Sequence, residues 1–320
     1  MNKPEWQYMG VVGNDPLEVA EAGSRISSEC LRIPPSPAGT VPSWVTNSDF
    51  FDGSLLAVAV KDERTVKVWG TAFMIGPGLA VTAKHVLDDH LEEALRGEKE
   101  VYCVGLRPGG RLEVWRLQHY GCSNDDGDLA ILSLQLVTNL PDDNRFTCLP
   151  LTTRTPYAGE QLTIVGFRFE EAEARTEPDT FPLTGNLYTA VGVVTAVHWP
   201  RHPLLAPFPV IEIQCGSLGG MSGGSVFGQD GAVVGVISRG FEADDHQGPT
   251  FAAWCVDLFR WTVTASWPPG AYPPDLSIVH IPFIRIDGRE HYTLDNDGTP
   301  HLKIWHGDGH PQNPDAAPQR

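Results

Sequence analysis

The stretch Gly220-Met221-Ser222-Gly223-Gly224-Ser225-Val226 sets one serine in a frame of glycines, and it decides how the rest of this chain is interpreted. Glycine lacks a Cβ, so the backbone can turn tightly around Ser222. A tight turn can aim two backbone amides, those of Gly220 and Ser222, at a single oxygen atom. Amides aimed in this way stabilise the negative oxygen of a tetrahedral acyl-transfer intermediate. We therefore predict Ser222 as a nucleophile and the amides of Gly220 and Ser222 as its oxyanion hole.

Two stretches upstream supply the partners that a serine nucleophile needs. His85 lies in Thr82-Ala83-Lys84-His85-Val86 and Asp128 opens Asp128-Leu129-Ala130-Ile131-Leu132. A serine hydroxyl stays protonated at neutral pH, so it requires an imidazole to accept its proton and an acid to orient that imidazole. We predict His85 as the general base and Asp128 as its orienting carboxylate.

Nearby residues offer alternatives for two of these roles. Asp125 and Asp126 lie close to Asp128, where acidic residues beside a glycine are typical of a solvated turn. We favour Asp128, because the apolar run that follows it can form an anchoring strand. Ser217 and Ser225 flank Ser222, but neither sits at the centre of the glycine frame.

Together the three stretches, in the order His, Asp, Ser, resemble the trypsin/chymotrypsin superfamily of serine proteases, in the form of bacterial trypsin-like peptidases, HtrA-type proteases and glutamyl endopeptidases. The resemblance covers roughly residues 50 to 262. It implies an all-β, chymotrypsin-like fold of two six-stranded Greek-key β-barrels, with a short C-terminal helix and a small C-terminal β extension. It also implies a serine endopeptidase without a cofactor, whose triad lies in the cleft between the barrels.

An α/β-hydrolase is the main alternative, because Gly220 to Gly224 also fit the Gly-x-Ser-x-Gly nucleophile elbow. That elbow needs a helix directly after the serine and the partner order Ser, Asp, His. Here a glycine pair and two apolar runs separated by an Asp230-Gly231 turn follow Ser222, which indicates strands. The downstream histidines, His246 and His280 among them, lie in segments without the rhythm of a parallel sheet.

Composition limits the remaining possibilities. With 33 glycines and 27 prolines among 320 residues, many short strands are favoured over long helices. The net charge of −17 argues against nucleic-acid and anionic-membrane partners, which bind basic patches. The six cysteines are scattered and lack metal-ligand spacing. By the family resemblance, Val86 stands where disulfide-bonded trypsins carry a cysteine after the histidine, so a disulfide framework is not expected. The first residues lack a basic start and an apolar core, so we expect a cytoplasmic protein.

The chain divides into four predicted regions: an N-terminal segment and linker at 1–50, a first barrel at 51–145, a second barrel with its closing helix at 146–264, and a C-terminal extension and tail at 265–320. We predict a short helix at 15–22, a helix at 87–100 and a β-meander at 284–305. An Asp-rich loop at 295–298 resembles half of a calcium site, but a hairpin turn explains it more simply.

The resemblance also implies the substrate side of the cleft. The residues predicted to contact a substrate are Gly216, Ser217, Ser238, Arg239, Gly240 and Ala252. An extended peptide would add as a strand along residues 238–240. No acid stands at the base of the pocket, and Arg239 is either a contact for an acidic side chain or a solvated residue. His198 and His202 either line a pocket for glutamate or pack in a loop.

We expect a protein or peptide substrate and a possible regulatory partner protein. Because a trypsin-like enzyme free in its own cytoplasm would be harmful, limited cleavage of one partner is the favoured activity. The alternative is a catalytically inactive module of the same fold that binds peptides as a scaffold.

Overall fold

The structure is a computed structural model of the 320-residue chain. It describes residues 7–11, 13–19, 25–34, 48–63, 65–122, 127–168, 173–174, 180–184, 186–241, 248–274, 276–294 and 300–303. Several predicted features lie outside the described residues: the alternative acids Asp125 and Asp126, His246, the Asp-rich loop at 295–298 and the tail from 304 onward.

Strands dominate the described part of the chain. The strands are β1 (Gln7–Val11), β2 (Ser27–Cys30), β3 (Leu55–Lys61), β4 (Thr65–Gly76), β5 (Leu79–Thr82), β6 (Glu100–Arg107), β7 (Arg111–Cys122), β8 (Ala130–Leu136), β9 (Arg145–Cys148), β10 (Leu151–Thr152), β11 (Gln161–Arg168), β12 (Glu173–Ala174), β13 (Thr180–Thr184), β14 (Asn186–His198), β15 (Val210–Gln214), β16 (Ser225–Phe227), β17 (Val233–Gly240), β18 (Thr250–Trp254), β19 (Thr262–Val263), β20 (Leu276–Ser277), β21 (Ile286–Asp287), β22 (Tyr292–Leu294) and β23 (Pro300–Leu302). The α-helices are α1 (Pro16–Val19) and α2 (His85–Leu95), and 3-10 helices span Ser48–Phe51, Cys255–Arg260, Ile278–His280 and Arg289–His291.

The first barrel is a closed ring of six antiparallel strands in the order β4, β3, β6, β7, β8, β5, with β5 pairing back to β4. Its strands are rich in the β-branched and apolar residues that suit a pleated, buried surface. In β3 the run from Leu55 to Val60 is buried at every position. The barrel therefore has packing on both its inner and its outer side there.

The second barrel closes in the same way, in the order β11, β14, β15, β18, β17, β16, with β16 pairing back to β11. Its interior is an apolar cluster that includes Ile164, Ile213, Val234 and Trp254. Because the barrel is closed, each of its six strands pairs with a neighbouring strand on both sides. Two closed six-stranded antiparallel barrels confirm the predicted chymotrypsin-like, all-β fold.

Segments outside the barrels pack across them. Strand β2 pairs in parallel with β9, the connection between the barrels. Ile33, three residues beyond β2, is buried, and its amide donates to the Gly231 carbonyl of the second barrel at 3.3 Å. After the second barrel, Trp267 is buried against Trp115 and Phe146, with ring centroids 5.2 and 5.6 Å away. Described segments that precede the first barrel and follow the second thus pack against the barrels.

Some elements differ from the sequence prediction. The helix predicted at 87–100 begins at His85 and ends at Leu95, because Gly97 adopts a left-handed φ of 74° that stops it. The predicted meander is divided: β22 and β23 form a hairpin, whereas β21 pairs in parallel with β10 beside the second barrel. The closing helix is a 3-10 helix. No helix among the described residues is long and apolar enough to cross a membrane.

Candidate active site

Strand pairing brings His85 and Asp128 together. Thr82, the last residue of β5, pairs with Ala130, the first residue of β8. His85 therefore follows one strand closely while Asp128 precedes the neighbouring one. The Asp128 carboxylate spans this junction: Oδ1 accepts from the His85 backbone amide at 2.9 Å, and His85 Nδ1 lies 3.0 Å from Oδ1 and 2.8 Å from Oδ2.

Asp128 is buried, and its carboxylate accepts a further hydrogen bond from a hydroxyl group. Only 8% of the residue is exposed, and Ser238 of β17 donates its Oγ hydrogen to Asp128 Oδ2. Burial raises the pKa of this carboxyl, but the hydrogen bonds from His85 and Ser238 outweigh burial and hold the pKa below its ordinary value. The carboxylate is therefore charged at neutral pH. The His85 side chain, by contrast, is 43% exposed.

The loop around Ser222 is fixed by backbone hydrogen bonds to both barrels. The Ser222 carbonyl accepts from the Thr71 amide of the first barrel at 2.7 Å, and the Gly223 amide donates to the Ile237 carbonyl of the second at 2.8 Å. Gly223 has a φ of 85°, and a Cβ there would overlap the Thr71 carbonyl oxygen. Only glycine fits this position, as its place in the sequence frame indicates.

Contacts of this loop place Ser222 beside the His85 segment. A Cβ on Gly70 would meet the Val86 side chain at 2.7 Å and the Ser222 carbonyl at 2.8 Å. On the other flank, a Cβ on Gly223 would come within 3.1 Å of the Ala83 amide. The backbone at Ser222 and Gly223 thus lies close to Val86 and Ala83, on either side of His85 in the sequence. Within the described part of the chain, no hydrogen bond joins the side chains of His85 and Ser222.

The predicted oxyanion hole has two unused amides. In the described residues, neither the Gly220 nor the Ser222 amide donates a hydrogen bond, while the Met221 amide between them donates to the Leu218 carbonyl at 3.1 Å. Gly220 has a φ of 91°. This left-handed conformation is open to glycine and rare for other residues. Two unpaired amides two residues apart in a fixed turn are suited to hold one anionic oxygen.

Thr71 is a structural residue of this site that the sequence prediction missed. Its Oγ1 donates to the Gly220 carbonyl at 3.0 Å and accepts from the Phe167 amide at 2.9 Å. Its carbonyl accepts the Thr82 hydroxyl at 2.7 Å. Thr71 therefore links β4, the Ser222 loop and β11. The sequence did offer a signal for this role: Thr71 is a polar residue within an apolar run. A buried hydroxyl group needs a hydrogen-bond partner, so such a residue is a candidate for a structural role.

Comparison with known proteins gives the family. The family model described as the trypsin-like peptidase domain matches residues 70–236, which is just over half of the chain and contains His85, Asp128 and Ser222. The chain belongs to the trypsin-like peptidase family. The comparison with curated proteins found no match to this peptidase-family chain.

Solved structures also resemble this trypsin-like peptidase domain. Deg5 is 18% identical with a TM-score of 0.47, over 69% of this chain and 90% of its own. The HtrA-type protease AlgW, solved with a tripeptide, is 17% identical with a TM-score of 0.45, over 67% of this chain and 60% of its own. Neuropsin from mouse brain is 15% identical with a TM-score of 0.44, over 65% of this chain and 91% of its own.

The structure brings four of the predicted substrate residues of this domain together. Gly240, in β17, pairs with Thr250, and a Cβ at Gly240 would overlap the Ser217 hydroxyl. Gly216 and Ser217 are buried, whereas Arg239 and Gly240 are exposed at the end of β17. Gly240 has no side chain, so its exposure is that of its backbone, and the pairing of β16 with β17 does not extend to Arg239 and Gly240. This end of β17 can therefore accept an added strand.

The other two predicted substrate residues, Ser238 and Ala252, have buried side chains. Ala252 is fully buried and packs in the interior of the second barrel, so its side chain does not line a surface groove. Ser238 is 2% exposed and its side chain is turned toward Asp128, where it orients the carboxylate; the predicted main-chain contact of Ser238 with a substrate stays a prediction. Alternation along β17 explains this, because successive side chains of a strand point to opposite sides.

The histidines considered for a glutamate pocket lie together on the second barrel. The His198 and His202 ring centroids are 4.3 Å apart, and His198 Nε2 is 3.0 Å from Glu212 Oε2. His198 Nε2 therefore already interacts with a carboxylate of the protein itself. This interaction disfavours a pocket for an acidic substrate side chain.

Proposed function

We propose that this trypsin-like peptidase is a serine endopeptidase that works through an acyl-enzyme on Ser222. The observation that carries the proposal is the fixed His85–Asp128 pair, in which one carboxylate bonds both the backbone amide and Nδ1 of the same histidine. A neutral imidazole that donates its Nδ1 proton to a carboxylate has Nε2 free of a proton. An unprotonated Nε2 is the form that accepts a proton from a nucleophile.

The reaction then proceeds in two acyl transfers. His85 Nε2 accepts the Ser222 hydroxyl proton as the oxygen bonds to the scissile carbonyl carbon, and the amides of Gly220 and Ser222 stabilise the oxyanion. The C–N bond breaks as His85 returns the proton to the leaving amine, which leaves an acyl ester on Ser222. A water molecule, deprotonated by His85, releases the acid and restores the hydroxyl. Asp128 stays ionised and stabilises the imidazolium in each step.

We infer that the substrate is a protein segment that lies along the exposed end of β17. Arg239 and Gly240 offer backbone groups there, and such main-chain bonding does not depend on side-chain identity. Limited cleavage of one partner protein in the cytoplasm is the activity we propose. The six unpaired thiols are consistent with a reducing compartment.

The test is hydrolysis of a peptide library by the parent chain and by Ser222→Ala and His85→Ala, with Ser225→Ala as the matched control. Ser225 begins β16, three residues after Ser222, and its buried hydroxyl lacks a partner among the described residues, so its loss should leave turnover unchanged. Cleavage that disappears in the first two variants and persists in the control supports the proposal. Incubation with a proteome extract tests the partner claim, because indiscriminate degradation would contradict limited cleavage.

A peptide-binding scaffold without catalysis is the second candidate, and one observation favours it. His85 and Ser222 are not hydrogen-bonded to each other in the described structure. Such bonds are often long in a ligand-free enzyme and tighten when substrate binds. The scaffold predicts that peptides bind the end of β17 with equal affinity in the parent and in Ser222→Ala, and that neither chain cleaves them.

A further inference from the structure

Three side chains that commonly bind metals meet on the second barrel, outside the triad. His198 ends β14, Glu212 lies in β15, and His202 lies in the connection between these two strands. One donor atom from each lies within 4.8 Å of the other two. All three side chains are half-buried, so the group is both held in place and open to solvent.

The strand pattern explains why these residues converge. Ile211 and Ile213 belong to the apolar interior of the barrel, so Glu212 between them points outward. Ala196 of β14 is the register partner of Glu212, and His198 lies two residues further along the same face. The group is therefore on the outer surface, built on two hydrogen-bonded strands and completed by the loop.

We propose that His198, His202 and Glu212 bind one divalent transition-metal ion, with zinc as the preferred metal. Two imidazoles and one carboxylate are a donor set that zinc favours, and three protein ligands leave a position for water. Magnesium and calcium prefer oxygen ligands, so they are poor competitors at this site.

The present bonding of His202 shows what must change when the ion binds. His202 Nδ1 accepts hydrogen bonds from the backbone amides of Leu204 and Leu205, at 3.1 and 2.9 Å. A neutral imidazole that accepts at Nδ1 carries its proton on Nε2, where a metal cannot bind. A half-turn of the ring about the Cβ–Cγ bond, a torsion with a two-fold profile, removes this conflict. Both amides would then bond to water, since the loop lies at the surface and Leu204 is 89% exposed.

The same loop contacts the strand that carries Arg239. Arg239 donates from its guanidinium to the Leu205 carbonyl at 3.1 Å. Phe251 is the register partner of both Glu212 and Arg239, and its ring lies 5.6 Å from that of His202. Metal binding would therefore reorganise a loop that touches the end of β17. If zinc binding also changes KM for peptides, that effect rests on the proposed function. Zinc binding itself does not rest on it.

The experiment is a calorimetric titration of zinc chloride into the full chain after chelator treatment, in a buffer that contains magnesium. We expect one zinc ion per chain. The affinity for zinc should fall at least about tenfold in His202→Ala and in Glu212→Gln, because losing even a residue that only supports a metal ligand lowers affinity by about 10- to 100-fold. His119→Ala is the matched control, because His119 is an exposed histidine on β7 of the first barrel, and it should bind zinc like the parent.

Two results would overturn the site. One is a parent chain that binds no zinc, and the other is zinc binding that persists unchanged in both variants, which would assign the ion to other groups such as the free thiols. Thermal unfolding without zinc shows whether each variant is folded, and His202→Ala changes only a loop residue. Nuclear magnetic resonance adds a second readout: the amides of Leu204 and Leu205 should shift when zinc is added, and unchanged amides would refute the ring rotation. Because none of these readouts involves cleavage, an inactive but zinc-binding chain would refute only the proposed function.

Discussion

Asp128→Asn isolates the role of the buried carboxylate, because the replacement has nearly the same shape and no charge. The His85 backbone amide donates to Asp128 Oδ1 at 2.9 Å, so the asparagine oxygen must take that position. Its NH2 group then takes the place of Oδ2, which lies 2.8 Å from His85 Nδ1 and accepts the Ser238 hydroxyl. An NH2 group at that distance forces Nδ1 to accept a hydrogen bond.

The consequence for catalysis follows from the histidine tautomer. If Nδ1 accepts, the imidazole proton resides on Nε2, and His85 cannot take the proton of Ser222. Loss of the correct tautomer in a triad of this type lowers kcat about 10,000-fold. That factor corresponds to about 5.4 kcal/mol of transition-state stabilisation.

The assay is kcat and KM for a peptide that the parent chain cleaves, measured for the parent, for Asp128→Asn and for Asp142→Asn. Asp142 is the matched control because its side chain is 85% exposed, and it should behave like the parent. Circular dichroism establishes that both variants are folded. A folded Asp128→Asn with activity within tenfold of the parent would refute the reasoning.

Three further predictions follow from the same contacts. Ser238→Ala should lower kcat/KM by about ten- to a hundredfold, because a hydrogen bond to a charged group contributes about 1.5–3 kcal/mol; unchanged kinetics would contradict its orienting role. Gly223→Ala should lower the free energy of unfolding in urea by about 2–5 kcal/mol, from the left-handed φ and the overlap with Thr71, whereas Gly219→Ala, with open space around it, should cost less than about 0.5 kcal/mol. Because the folded pKa of Asp128 is lowered, its contribution to stability is complete above the ordinary value of 3.8 and is lost as pH falls through the folded value. Urea unfolding at decreasing pH should show this loss in the parent but not in Asp128→Asn, and parallel curves would contradict it.

The barrels were predictable because their strands carry local signals. Runs such as Leu55 to Val60 and the glycine frame of Ser222 constrain the backbone within a few residues, so sequence alone located them. The pairing of β5 with β8, which brings His85 to Asp128, was predicted only through the family resemblance. Spacing along a chain does not by itself specify which strands become neighbours.

The parts that the sequence could not predict depend on distant partners. Strand β2 pairs with β9 more than a hundred residues away, and β21 pairs with β10. These strands are only two to four residues long and have little hydrophobic pattern of their own. Tertiary packing therefore determines which strand each of them pairs with. The side-chain role of Ser238 was also missed, because its partner Asp128 lies on the other barrel. The group of His198, His202 and Glu212 could not be predicted either, because the sequence does not show which side chains of β15 point outward.

The most direct test of the account is the reaction of the folded chain with a fluorophosphonate, which reacts much faster with an activated serine than with an ordinary one. Peptide mass spectrometry then locates the adduct. The account predicts a single adduct on Ser222, absent in Ser222→Ala and strongly slowed in His85→Ala, with Ser225→Ala labelled like the parent. A folded parent chain that stays unlabelled, or an adduct on another serine, would contradict the central claim that Ser222 and His85 act as one catalytic unit.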